Sequence, residues 1–199
     1  MFGLFNKSAP PQPAAPNLRA EQLQPRIKHL NFLKALRAAG VPPDQQPAHS
    51  PLCGELIVTY AFDLPDRFMM ATPRLVEQAG VSHAELAQLA CANLERAMPQ
   101  PQFFVKDGCG LAVTGEDLEA TLLLVDGVWD EMQPNFRGEI VAVAPRRDRV
   151  LMCDSANPAS IVALRAQAQA FFEEHQDPHR LSTQLMVRRG GKWTLFDSQ

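Results

Sequence analysis

Residues 138–158, GEIVAVAPRRDRVLMCDSANP, place one apolar run on each side of a charged turn and then open a helix. The turn, Pro145-Arg146-Arg147-Asp148, sets three charges behind a proline. Two apolar runs separated by a turn signal read as a hairpin. Asn157-Pro158 then starts a helix carrying Ile161, Leu164, Ala168 and Phe171 or Phe172. The same plan recurs upstream. Leu56, Val58, Tyr60 and Phe62 alternate with Ile57, Thr59 and Ala61, Leu64-Pro65-Asp66 turns the chain, and Arg67 to Met70 returns it. A helix follows from Thr72-Pro73 to Gly80, and Ser82 with Glu85 forms a capping box for the next. Phe103–Val105 and Leu111–Val113 flank the turn at Lys106-Asp107-Gly108, and Leu118, Leu122, Val125, Trp129 and Met132 repeat at helical spacing up to Pro134. Thr121 to Val125 alone also fits a strand. A last hairpin, Leu185–Arg189 and Lys192–Phe196, turns on Gly190-Gly191, which suits a primed turn.

Hairpins supply antiparallel pairs, and the intervening helices have the length to cover one sheet face. The fold class is therefore α+β, with a mainly antiparallel sheet built from successive hairpin–helix units over residues 54–199. Upstream, residues 1–17 form a Pro/Ala-rich leader with Pro10, Pro11, Pro13 and Pro16 and no apolar period. Residues 18–53 read as an N-terminal helix and a linker. Leu23, Ile27, Leu30 and Leu33 give the helix, from Pro25 to Ala39, and Gly40 stops it.

No apolar run approaches the roughly 20 residues that a spanning helix needs. Met1-Phe2-Gly3-Leu4-Phe5 is too short for the core of a signal peptide and has no basic stretch before it, so the expected location is cytoplasmic. Cys53, Cys91, Cys109 and Cys153 are scattered without a CxxC pair, as reduced core thiols would be. Charge is uneven: residues 1–40 carry +5 and the remainder −8, within a total of −3. A basic arm of this kind either binds phosphate or a membrane surface or lies against its own acidic body. Its charges are not regularly interleaved with aromatic residues as in single-strand binders, so no nucleic acid partner is expected.

No reaction can be read from the motifs. Gly108-Cys109-Gly110 lacks the downstream glycine and lysine of a phosphate loop. His175 and His179 are separated by Asp177-Pro178, which breaks a helix and removes them as a metal pair. Ser155 has no nucleophile-elbow context. No catalytic residue, metal or cofactor is assigned. Binding candidates remain. Arg146, Arg147 and Asp148 either clamp a carboxylate or phosphate at one end of the sheet or pair with each other to stiffen the hairpin. Asn93 interrupts a helix face of Leu and Ala, and a buried amide there ties the helix to another segment or lines a pocket. Glu119 suits a helix N-terminus and could also converge on the turn.

Five segments carry a family likeness: VTYAFDL at 58–64, ACANL at 90–94, LEATLLL at 118–124, GEIVAVAPRRDRVLM at 138–152 and RRGGKWTLF at 188–196. Together they resemble the YtpQ-like family of bacterial proteins over about residues 54–197. Thr121 stands where that family often has serine, and Pro145 and Asp148 match its more regular positions. The resemblance implies an α+β fold, a cytosolic bacterial setting and, in other members, a further N-terminal region that is expected to be lacking or shortened here. It brings no activity. The functional expectation is a noncatalytic protein-interaction or regulatory module with a protein partner and no membrane span. The alternative is a small enzyme or small-ligand binder with a pocket near Pro145–Asp148. A third possibility is membrane-surface association through Phe2, Leu4, Phe5 and the basic segment.

Overall fold

The computed structural model describes residues 17–106, 108–115, 117 and 119–197. The leader expected over 1–17 lies outside them apart from Asn17, as do Asp107 in the second turn and Leu118 in the expected helical face. The class is α+β, with antiparallel pairing throughout. The strands divide into two sheets.

In the first sheet β1 (Leu23–His29) and β2 (His49–Cys53) flank the central β3 (Leu56–Leu64), and β4 (Arg67–Met70) pairs with the far end of β3. This corrects the helix expected from Pro25 to Ala39. The chain runs as a strand from Leu23 to His29, and only Asn31–Ala38 forms a helix, α1. A spacing of four between Leu23 and Ile27 satisfies both a helical period and a strand period of two. The sheet decides the outcome. β3 is buried from Leu56 to Phe62 and needs a partner along both edges. β1 supplies one, in register from Leu23 opposite Phe62 to His29 opposite Leu56. Pro25 is tolerated because β1 is an edge strand.

Val58, Tyr60 and Phe62 face α2 (Pro73–Gln78) and α3 (His83–Ala97), packing with Val76, Leu86 and Ala90. Ser82 and Glu85 form the expected capping box of α3. The opposite face of β3 carries Ile57, Thr59, Ala61 and Asp63. By register it continues into Lys28, Arg26 and Gln24 on β1 and into Met70 and Phe68 on β4.

The second sheet has the order β10 (Lys192–Leu195), β9 (Met186–Arg189), β7 (Ile140–Arg146), β8 (Arg149–Asp154), β6 (Cys109–Val113) and β5 (Gln102–Lys106). Gly190 and Gly191, with φ of 54° and 74°, make the primed turn between β9 and β10. Both faces of this sheet are covered, not one. Val141, Val143 and Leu151 pack on Leu164 and Ala168 of α5 (Pro158–Glu174). Ile140, Ala142, Ala144 and Met152 pack on Leu122, Trp129 and, from the first sheet, Ile27 and Leu56. The single helix expected across 118–132 is a 3-10 helix, Glu119–Leu124, followed by α4 (Asp126–Met132). Two indoles hold the 3-10 helix from below. Trp129 Nε1 donates to the Leu122 carbonyl at 2.6 Å and Trp193 Nε1 to the Leu123 carbonyl at 2.8 Å, with the rings edge to face 5.0 Å apart. Glu55, at the turn between β2 and β3, ties the sheets together: its N–H donates to Gln184 Oε1 at 2.9 Å and its carboxylate accepts from Ser182 at 2.8 Å.

Candidate functional site

The side of the first sheet turned away from α2 and α3 forms the floor of a cleft. Alternation along β1 places Gln24, Arg26 and Lys28 there together. The facing wall comes from the 3-10 helix, with Ala120 and Thr121, and from Arg147 in the β7–β8 turn. Arg26, Lys28 and Arg147 thus line one cavity of about 380 Å³ with Ile27, Ala61, Phe68, Met70 and Asp117. A smaller adjoining cavity of about 170 Å³ shares Arg26, Phe68 and Thr121 and is bounded by Gln24, Asp63 and Thr114.

Arg147 is fixed through its backbone. Its N–H donates to the His179 carbonyl at 2.9 Å, and its carbonyl accepts from the Ala120 N–H at 2.8 Å. The main chain is anchored on two sides, and the residue lines the cavity. Arg26 is only 6% exposed. Its guanidinium lies 4.0 Å over the Phe68 ring, and Nη1 donates to Pro25 O at 2.9 Å and Gln24 Oε1 at 3.2 Å. Nη2 of Arg26 and Nε of Arg147 are buried without a hydrogen-bond partner among the described residues. Burial pushes the Arg26 guanidinium down to about 10; Asp63 opposes that shift and Arg147 adds to it. Lys28 is also lowered, by burial first and then by the charges of Arg147 and Arg26. Arg26 therefore feels Arg147, and Lys28 feels both arginines. Among the described residues none of the three is in an ion pair with a carboxylate. Asp117, on the cavity wall, has φ of 54°, a left-handed conformation uncommon outside glycine. What the cleft offers chemically is positive charge and N–H donors that the protein itself leaves unsatisfied.

The residues singled out from the sequence separate by role. Arg147 lines the cavity. Arg146 points elsewhere and is almost fully buried: it contacts Asp177 at 2.9 Å, Asp148 at 3.4 Å and the His175 carbonyl at 3.3 Å. Those partners hold it above the usual arginine value, with the Asp177 hydrogen bond foremost. Asp148 also binds Arg149 at 2.9 Å. Arg146 and Asp148 thus form a structural cluster that joins the hairpin to the segment after α5. Asn93 donates to the Ala20 and Leu23 carbonyls, each at 2.8 Å, and ties α3 to the start of β1. Glu119 gathers the Thr114 N–H at 3.0 Å, the Gly115 N–H at 3.1 Å and the Thr114 hydroxyl at 3.2 Å, which shapes the loop carrying Asp117. Neither Asn93 nor Glu119 lines the two cavities. From the sequence Arg26 and Lys28 are visible only as members of the basic arm, and Phe68 is not singled out. The signal for the first two was the alternation of Gln24, Arg26 and Lys28 with Leu23, Pro25 and Ile27, which the helical reading concealed.

No family model matches the sequence. Two curated relatives do at low identity. A UPF0354 protein of Shouchella clausii (strain KSM-K16) is 24% identical over 151 residues, which cover 71% of this chain and 56% of the relative. A UPF0354 protein of Listeria monocytogenes serotype 4a (strain HCC23) is 26% identical over 122 residues, which cover 60% of this chain and 46% of the relative. The chain spans about half the length of the curated relatives it matches. Neither name states an activity. No solved structure matches. Among the described residues no helix is long and apolar enough to cross a membrane.

Proposed function

We propose that this protein is a noncatalytic binder of a small anionic ligand, a phosphate or a carboxylate, in the cleft between its two sheets. The observation that carries the reading is the convergence of Arg26, Lys28 and Arg147 on one cavity without a carboxylate paired to them among the described residues. A buried cation is expensive unless compensated, and a buried donor left unpaired costs about 1–3 kcal/mol. An anion in the cavity would satisfy both needs. Membership of a YtpQ-like family and a cytoplasmic setting belong to the same proposal.

The test is calorimetric titration with inorganic phosphate, and separately with succinate, of wild type and Arg147→Gln. Saturable binding by wild type that weakens by about tenfold or more in the folded variant supports the reading. Equal binding by both proteins, or none by either, removes it.

A second reading, docking of a protein partner, is supported by β5. Phe103, Phe104 and Val105 on this edge strand are 37%, 56% and 78% exposed, and an apolar edge is where another chain can add a strand. Co-purification of a specific partner that is lost on Phe104→Lys would favour it over the anion site.

A further inference from the structure

The geometry points to a second anion subsite beside the first, so that the ligand carries two anionic groups joined by a short organic linker. This inference rests on the anion-binding reading of the Arg26–Lys28–Arg147 cavity and extends it. Lys28 is a wall shared by that cavity and by another of about 400 Å³. The second cavity is lined by His29, Phe32, Phe172, Arg180 and Leu181, with no acidic residue among its described lining.

The way these cations are held is unusual. Arg26 lies over Phe68 at 4.0 Å, Lys28 over Phe32 at 5.6 Å and Arg180 over Phe172 at 3.8 Å. A ring face fixes a cation through its quadrupole and leaves the N–H edge of a guanidinium free, whereas a carboxylate partner would occupy that edge. Arg180 donates from Nη1 to Gln176 Oε1, and its Nε is buried without a hydrogen-bond partner among the described residues. His29 is directed away from this role: its Nδ1 accepts from the Asn31 N–H at 3.0 Å and its Nε2 faces Glu55 at 3.5 Å.

Two cavities meeting at Lys28, with an arginine left open in each, match a two-headed anion. One head sits between Arg26 and Arg147, the other at Arg180. The linker passes Lys28 and the Phe32 ring. Inorganic phosphate alone engages only the first subsite.

The experiment compares inorganic phosphate with a series of alkane bisphosphates of increasing length, by calorimetry on wild type, Arg180→Gln and Phe172→Leu. Arg180 is half-buried in the segment after α5, against the Phe172 ring of that helix, so the first variant is expected to fold; the second removes the ring beneath the guanidinium and keeps the charge. Wild type should bind one length of bisphosphate at least about tenfold more tightly than phosphate. Arg180→Gln should erase that advantage and leave phosphate affinity within about twofold, and Phe172→Leu should lose part of it. Bisphosphates no tighter than phosphate in wild type, or equal losses of both ligands in Arg180→Gln, would overturn the second subsite while leaving the first intact. No binding of any probe to wild type would overturn the first site and the second with it.

Discussion

Arg26 is the residue at which stability and binding oppose each other most directly. Its side chain is almost fully buried, its supports are the Pro25 carbonyl, the Gln24 amide oxygen and the Phe68 ring, and no carboxylate is paired with it among the described residues. Apolar replacement of buried charge is commonly neutral or stabilising, and here the gain is reduced by the loss of the bond to the Pro25 carbonyl. Arg26→Met should therefore raise the stability of the ligand-free protein by about 1 kcal/mol in urea denaturation while weakening phosphate binding by about tenfold or more. A variant that loses both stability and binding would mean that the guanidinium is structural. At this scale the sequence displayed the charged turn but not its division of labour. Arg146 and Arg147 are adjacent and chemically identical, yet a register shift between Val143 and Arg146 and the bridge from Arg146 to Arg180 send one into an ion cluster and leave the other on the cleft wall. That choice depends on contacts to residues about 30 positions away, which no local pattern encodes.

Among the elements, those governed by local chemistry were legible. The capping box at Ser82 and Glu85, the Asn157 cap of α5 and the Gly190-Gly191 turn all form as their residues dictate. β1 was misread because its apolar spacing fits two periods and its strand character comes from β3, which it meets across a gap of more than 20 residues. The consequence is that residues 18–53 supply two of the three strands paired with the first sheet's central strand. A chain beginning at Gly54 would leave β3 with its apolar run from Leu56 to Phe62 unpaired on the β1 side and along most of the β2 side. Such edges template aggregation. The shortened protein should be insoluble or lack the near-ultraviolet dichroism of the Trp129–Trp193 pair, as measured on purified material. A soluble, cooperatively folding fragment from Gly54 would show that the second sheet and α5 stand without β1 and β2.

For the molecule as a whole, charge asymmetry becomes geometry. The N-terminal segment is basic and the body acidic, and the pairing of β1 with β3 brings Arg26 and Lys28 of the first into the same cavity as Arg147 of the second. The net charge of −3 gives no long-range attraction for anions, so recognition has to come from the local field of the cleft. That field has a pH signature. Arg26 and Lys28 are bases whose folded-state values lie below their ordinary ones, Arg26 at about 10, because burial and mutual repulsion disfavour the charged forms. A bound anion favours those charged forms, so binding takes up any proton that has been lost, and affinity falls as pH rises through the lowered values. Phosphate would blur this limb, since its own charge increases near neutrality. Sulfate does not titrate there and isolates the protein's contribution. Sulfate affinity should decline as pH rises through the lowered Lys28 value and fall steeply around 10 with Arg26, earlier than an ordinary arginine would allow. In Arg26→Gln the affinity should be low throughout, and what remains should decline with Lys28 alone. An affinity that stayed constant to pH 11 in wild type would mean that the bound anion does not touch these two groups, and would move the search for the ligand away from β1.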